Sequence, residues 1–217
     1  MSSASTGAGG QEEELARARA SMFGLVARVF SGRPTEGMLD GIRDPQMLES
    51  LSAFGVVFEG DFLETEIDRL AGDLAEEFVR LFIGPGPHIA AYESVYIQAP
   101  DEDLPRLWGK ATVEVANFYL EAGLDLPTGQ TPDHLGLELE AMAVLAEAEA
   151  ESWENGDPDG AEEIFDMQLD FCRQHLRLWV PKICSDIENE TVSSFYRNMA
   201  LLTASLVEMQ CGAEPIF

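Results

Sequence analysis

The sequence predicts an all-α protein with one globular domain of roughly eight to ten helices in a bundle. Apolar residues recur every three or four positions along most of the chain, which is the spacing of a buried helix face. No segment shows the sustained alternation and β-branched enrichment of a strand. A chain of 217 residues, 46% of them hydrophobic, is long and apolar enough for one well-buried core.

The domain is predicted to span residues 12–217. Residues 1–11 are small and polar, and predict a disordered tail. The first helix follows from Glu12, and Gly32 and Pro34 end it. Its apolar face consists of Leu15, Met22, Leu25, Val26, Val29 and Phe30. Two short helices, over residues 35–42 and 45–53, are predicted next.

The clearest helix is predicted to run from Asp61 to Leu81 in one piece. Asp61 precedes Glu64 by three residues, a capping-box-like start. The apolar face of this helix consists of Leu63, Ile67, Leu70, Leu74, Phe78 and Leu81. The sequence Gly84-Pro85-Gly86-Pro87 ends it. A loop of roughly twenty residues follows, and loops of that length in compact domains are commonly functional.

Helical spacing resumes over residues 104–122, with Trp108 facing inward. Thr131 is predicted as the N-cap, and Pro132 as a first-turn residue, of a helix with an apolar face of Leu135, Leu139, Met142 and Leu145. A turn at residues 155–158 leads into the next helix, which the sequence Trp179-Val180-Pro181 is predicted to break. Its apolar face consists of Ile164, Met167, Phe171, His175 and Leu178, and that of the last helix of Phe195, Met199, Leu202, Leu206 and Met209.

The charge is strongly acidic, with 13 basic against 40 acidic residues and a formal net charge of -27. Nucleic acids and anionic lipids are polyanions, so this charge argues against both as partners. It suits a cationic partner, such as a peptide that carries arginines. The alternative is that the acidic residues only solvate the surface, as in a salt-loving host.

The N-terminus has neither a basic start nor an apolar run, so we expect no signal peptide. No uninterrupted apolar stretch of about 18 residues occurs, so we expect no membrane insertion. Together these features predict a cytoplasmic protein.

Motifs for nucleotide or metal chemistry are missing from the sequence. The segment Gly109-Lys110-Ala111-Thr112 lacks the upstream glycine of a phosphate-binding loop. His88, His134 and His175 are widely separated, and no HExxH or Cys/His spacing occurs. We therefore predict no metal and no cofactor.

The cysteines do not predict a catalytic site either. Cys172, Cys184 and Cys211 form no CxxC pair, and their odd number argues against a disulfide framework. Cys172 and His175 are spaced for contact on a helix, but acidic neighbours raise the pKa of a thiol and reduce its reactivity. We predict no catalytic residue.

Four segments, in order along the chain, resemble the TorD/DmsD/NarJ family of redox-enzyme maturation chaperones. Residues 78–85, with the sequence FVRLFIGP, are similar to that family's aromatic-x-x-Leu-Phe-x-Gly-Pro signature, and residues 92–96 to its aromatic-x-Ser-Val-aromatic segment. Residues 131–135 resemble its Glu-Pro-x-Asp-His-type loop, although Thr131 replaces the acidic residue and no residue separates Pro132 from Asp133. The closing helices are matched by residues 175–181 and 195–197.

The resemblance implies an all-helical chaperone that is not an enzyme. Such proteins bind the twin-arginine signal peptide, and often the body, of a molybdoenzyme catalytic subunit in its apo-form until the cofactor is inserted, before export. We expect a client of the dimethyl sulfoxide or trimethylamine N-oxide reductase type, with nitrate or other oxyanion reductases as alternatives. The chain is expected to act as a monomer or a homodimer.

The resemblance also implies a peptide-binding site with an acidic rim and an aromatic groove. An arginine pair followed by an apolar stretch requires both features. The predicted peptide-binding residues are Tyr92, Glu93, Ser94, Tyr96, Trp108, Pro132, Asp133 and His134. Phe78, Leu81 and Phe82 are predicted to support the groove from beneath, and they also fit ordinary core positions.

Two other functions remain open at this point. One is a small-molecule or nucleotide hydrolase of all-α fold, which the missing motifs disfavour. The other is a structural adaptor that uses the acidic surface.

Overall fold

The computed structural model describes residues 8–97 and 107–212, which form α-helices joined by turns and loops. The helices are α1 (Ala8–Ser31), α2 (Glu36–Arg43), α3 (Pro45–Ser52), α4 (Asp61–Glu64), α5 (Ile67–Phe82), α6 (Glu93–Tyr96), α7 (Lys110–Glu121), α8 (Leu135–Glu154), α9 (Pro158–Phe171), α10 (Arg177–Glu190) and α11 (Ser194–Gly212). A π-helical turn, Cys172–Leu176, joins α9 to α10. The predicted all-α fold class is confirmed.

The centre of the molecule is an antiparallel pair formed by α1 and α8. Ser31 at the end of α1 meets Gly136 at the start of α8, and Arg17 bonds Glu147 and Glu154 at the other end of the pair. A Cβ on Gly136 would lie 3.1 Å from the backbone nitrogen of Ser31, so only glycine permits this approach. Helices α9, α10 and α11 pack beside the pair, and the one core also includes buried residues of α2, α3, α5 and α7.

The predicted helix over residues 61–81 is two helices in the structure. Thr65 and Glu66 have extended backbone angles, and they separate α4 from α5. Arg43, on α2, causes this break: its guanidinium donates to the carbonyl of Phe62 at 2.9 Å and to that of Thr65 at 2.7 Å. Carbonyls that bond Arg43 need no amide partner further along a helix.

Two details at the start of α4 also differ from the sequence prediction. Gly60, with φ of 53°, is the N-cap, and Asp61 makes no side-chain cap. Leu63 is exposed, because Phe62 is the residue that packs inward, stacked on the ring of Phe195 at 5.7 Å.

The chain stays helical through Pro181, where the sequence predicted a break. The π-turn and α10 follow α9 without interruption, and Pro181 lies inside α10. Trp179 and Val180 are fully buried, and this packing outweighs the one hydrogen bond that proline removes. The extra residue of the π-turn rotates the helix face, so Leu178 is exposed where it was predicted to be buried.

A disulfide joins Cys172 in the π-turn to Cys211 near the end of α11, with their Cα atoms 5.7 Å apart. The odd number of cysteines argued against a disulfide framework, yet two of the three cysteines do pair. Cys184 is the remaining thiol and is buried. The pairing depends on how α11 lies against the π-turn, which the count of cysteines does not reveal.

Two helix starts differ from the prediction. Helix α1 begins at Ala8, so residues 8–11 are helical and not part of a tail, while residues 1–7 lie outside the described residues. Helix α7 begins at Lys110, and the predicted start at Leu104 lies outside the described residues. Along the described ranges, no helix is both long enough and apolar enough to cross a membrane.

Candidate functional site

The segment before α6 and the segment before α8 are paired through their backbones. Tyr92 and His134 form an antiparallel bridge, and their rings meet edge to face at 5.1 Å. Glu93 donates its N–H to the carbonyl of Asp133 at 2.9 Å, and Leu135 donates to the carbonyl of Ala91 at 2.9 Å. The two segments singled out in the sequence therefore form one structural unit, which we call the motif junction (residues 91–96 and 131–135).

Asp133 lies inside the motif junction and not on a rim. Its side chain is fully buried, and Oδ2 accepts the backbone N–H of Ser94 at 2.9 Å. Its Oδ1 has no hydrogen-bond partner within the described residues. The side chain thus holds the start of α6 against the start of α8, and the expected contact between Asp133 and an incoming arginine does not match its burial.

His134, rather than Thr131, caps α8. Its Nδ1 accepts the N–H of Gly136 at 3.1 Å, which requires that this nitrogen carry no proton. Burial lowers the pKa of His134, against the opposing effect of the Asp133 carboxylate, so the neutral ring that the cap needs is favoured. Pro132 is buried just before the helix, and its carbonyl accepts the Tyr119 hydroxyl at 3.1 Å.

Two further carboxyl groups are buried behind the motif junction. Glu93 contacts Nδ1 of His175 through Oε2 at 2.9 Å, and Glu138 accepts Nε1–H of Trp179 at 3.1 Å. Burial, and then the nearby Glu93 carboxylate, raise the pKa of Glu138 well above its usual range. This cluster joins α6, α8, the π-turn and α10, and it leaves Glu93 no surface to offer a peptide.

The other predicted site residues divide between the core and the surface. Phe78 and Leu81 are core residues, and Phe82 is half-buried against the ring of Phe78 at 5.1 Å. Ser94 is buried. Trp108 was predicted to face inward on a helix, but it precedes α7, is 64% exposed and has φ of 66°. Its ring is available for contact, although the described structure does not place it in the cleft described next.

An open cleft of about 650 Å³ lies beside Tyr96, between α10 and the loop that follows α5. The Tyr96 hydroxyl donates to Oδ2 of Asp186 at 3.0 Å, and the Lys182 ammonium lies 5.1 Å from the centre of the Tyr96 ring. Burial, with the bond to Asp186, raises the pKa of Tyr96, so its hydroxyl keeps its proton. The other charged side chains of the cleft belong to Arg80 and Glu190.

The cleft contains acidic residues that the sequence analysis missed. Lys182, Asp186 and Glu190 are spaced four apart on α10, so they share one helix face. This spacing was visible in the sequence, directly after Trp179-Val180-Pro181, but the predicted helix break hid it. Arg80 is already neutralised by the Glu77 carboxylate at 2.7 Å.

The described residues hold no group of three or more His, Cys, Asp or Glu side chains arranged to bind a metal ion. The features that the cleft presents are a half-buried tyrosine, an acidic helix face and an opening to solvent.

Comparisons with known proteins agree with a binding role. A family model described as nitrate reductase delta subunit matches residues 43–185, which include the motif junction and part of the cleft. The chain is also similar to a perchlorate reductase assembly chaperone protein of Dechloromonas aromatica (strain RCB). The two are 28% identical over 199 residues, which cover 85% of this chain and 84% of that protein.

Proposed function

Because the chain belongs to the nitrate reductase delta subunit family, a family of non-catalytic assembly chaperones, we propose that it binds the catalytic subunit of an oxyanion reductase during assembly. The prediction of a molybdoenzyme chaperone that is not an enzyme is confirmed by this family, and a hydrolase activity is not proposed. We also place this step in the cytoplasm, where the chaperones of this family act.

The client that we propose is a molybdenum enzyme of the nitrate or perchlorate reductase type. The family model is described by a nitrate reductase subunit, and the relative is named for a perchlorate reductase. Neither finding supports the dimethyl sulfoxide or trimethylamine N-oxide reductase that we expected from the sequence.

The finer proposal concerns the twin-arginine signal peptide of that client. The cleft beside Tyr96 supports this proposal, because it is open to solvent and combines the acidic face of α10 with an aromatic ring. We assign the acceptors of the arginine pair to Asp186 and Glu190, which replace the buried Asp133 and Glu93 in this role. Tyr96 lines the cleft and keeps its predicted role as a peptide contact, whereas Tyr92 and His134 do not line the cleft.

The charges of the cleft support this assignment. The Asp186 side chain is 39% exposed, and its ion pair with Lys182 is long, at 3.7 Å. An arginine makes two parallel hydrogen bonds to a carboxylate where lysine makes one point contact, so a peptide arginine would displace Lys182. The net charge of -27 adds a long-range attraction for a cationic peptide.

Calorimetry with a synthetic twin-arginine leader peptide tests this site. Asp186→Asn keeps an acceptor for the Tyr96 hydroxyl but removes the charge, so leader affinity should fall roughly ten- to a hundredfold, as for a lost charge-assisted hydrogen bond. Glu163→Gln, which removes one exposed charge from α9, is the matched control and should change affinity little. Equal losses in both variants would show that the peptide senses only net charge, and no loss in either would remove Asp186 from the site.

A further inference from the structure

A second groove, separate from the cleft at Tyr96, lies between α1, α3, α9 and the last turns of α11. Its volume is about 680 Å³, and it shares no lining residue with the cleft. The lining is mostly apolar and includes Leu15, Met22, Met47, Phe54, Phe165 and Met209. We call it the methionine groove.

The methionine groove leaves large apolar side chains in contact with water. Leu15 is 47% exposed and Met209 is 49% exposed. A contiguous apolar patch that is exposed to solvent is typical of a binding site. Methionine side chains are unbranched and flexible, so a groove built from Met22, Met47 and Met209 adapts to ligands of differing shape.

Two hydrogen-bond donors under this apolar lining have no acceptor. Gln210 is 2% exposed and lines the groove, and its Nε2 finds no partner anywhere in the described part of the chain. The same holds for Nε of Arg19, within residues 8–97 and 107–212. Leaving a buried donor unpaired destabilises the folded state, so a ligand that brings acceptor oxygens gains affinity here.

The unpaired donors of Gln210 and Arg19 favour a neutral acceptor over a charged one. The Arg19 guanidinium already binds the buried Glu149 carboxylate at 2.6 Å, which cancels its charge. Asp44, the acidic residue of the lining, is engaged as the N-cap of α3. A backbone carbonyl therefore fits better than a carboxylate or a phosphate.

We propose that the methionine groove binds a short extended, apolar segment of the unfolded catalytic subunit, whose backbone carbonyls accept hydrogen bonds from Gln210 and Arg19. This inference rests on the proposed chaperone function and adds a second contact with the client, apart from its leader. An extended segment fits best because its carbonyls are free, whereas those of a helix are already bonded. The flexible methionine side chains move aside as the carbonyls reach the donors.

The negative charge of the chain favours an apolar client segment as the ligand of the groove over a second copy of the chain or an anionic lipid. A second copy of the chain would also carry a net charge of -27, so the net charges of two copies oppose their association. Anionic lipid is disfavoured for the same reason. An unfolded apolar segment without acidic residues meets no such repulsion.

Fluorescence anisotropy with a labelled hexapeptide of leucine and valine, flanked by Gly-Ser at each end, tests the proposal. Met209→Glu places a charge at the exposed edge of the groove and should weaken peptide binding at least tenfold. Leu120→Glu makes the same kind of change at an exposed position of α7 that does not line the groove, and should leave binding unchanged. A leader peptide whose apolar stretch is replaced by glycine and serine should not compete, because its arginine pair binds in the cleft.

A second variant separates binding from folding. Gln210→Met keeps the length of the side chain and removes the unpaired donor, so thermal stability should stay the same or rise while peptide affinity falls about tenfold. A loss of stability together with affinity would make Gln210 a structural residue and overturn its role.

Three further outcomes would each contradict the proposed role of the methionine groove. If the hexapeptide does not bind although the catalytic subunit co-purifies with the protein, the groove proposal fails and the chaperone function stands. Competition by the leader variant that lacks the apolar stretch would show one shared site and overturn the second contact. A wild-type dimer that Met209→Glu dissociates would show that the groove is an interface between copies.

Discussion

The Asp133 carboxylate accepts a hydrogen bond from the backbone N–H of Ser94 at 2.9 Å, across 39 residues of sequence. Both groups are buried, and the bond fastens the first turn of α6 to the start of α8. In the sequence, an acidic residue after a proline is typical of a solvent-facing helix start. In the structure, Asp133 is buried and holds the segment that contains Tyr96 in place.

The first prediction is that Asp133→Ala destabilises the protein by about 1.5–3 kcal/mol, because the Ser94 N–H is left buried without an acceptor. Asp133→Asn keeps an acceptor oxygen and should cost less. Urea unfolding measures both, with Asp125→Ala as an exposed control. If Asp133→Ala were as stable as that control, the buried bond would have no structural role.

The second prediction concerns pH and Glu138. Burial and the nearby Glu93 raise the pKa of Glu138, so the folded protein keeps a proton that the unfolded chain releases above the usual carboxyl range. The contribution of this group to the free energy of unfolding is therefore complete at low pH, and it is lost as pH rises through the raised pKa.

Glu138→Gln has a permanently neutral side chain that still accepts from Trp179, so its stability should fall less than that of the wild type between pH 5 and pH 8. Urea unfolding at several pH values measures the difference. Parallel pH profiles for the two proteins would mean that Glu138 titrates normally.

The third prediction is that reduction of the Cys172–Cys211 disulfide lowers the free energy of unfolding by about 2–4 kcal/mol, because the bond closes a loop across 39 residues in the unfolded chain. Urea unfolding with and without a thiol reductant measures this. Cys211→Ser should respond to the reductant much less than the wild type does. A wild type that is insensitive to reductant would show that the bond contributes no stability.

Much of the helical core could be predicted from residue spacing, since Leu135, Leu139, Met142 and Leu145 do form the buried face of α8. The break at Thr65 could not, because Arg43 makes it from another helix. The π-turn likewise shifted the apolar face of α10, so Leu178 was assigned to the wrong side.

The site was only partly predictable from the sequence, because contacts between distant segments decide which of its side chains are buried. The motifs correctly singled out segments that pair in the structure, Tyr92 with His134, but a motif does not say which of its side chains face solvent. Glu93 is buried against His175 of the π-turn and Asp133 against Ser94, and both contacts join segments far apart in the sequence. Asp186 carries no motif of its own, and it gains its position through the bond from Tyr96.

We propose that the protein binds a molybdenum reductase catalytic subunit before the cofactor is inserted. Affinity capture of the tagged protein from its host, followed by mass spectrometry and molybdenum analysis of the bound fraction, tests this most directly. We expect recovery of a nitrate or perchlorate reductase-type catalytic subunit that retains its leader and lacks molybdenum. Recovery of no reductase subunit, or only of the mature molybdenum-loaded enzyme, would contradict it.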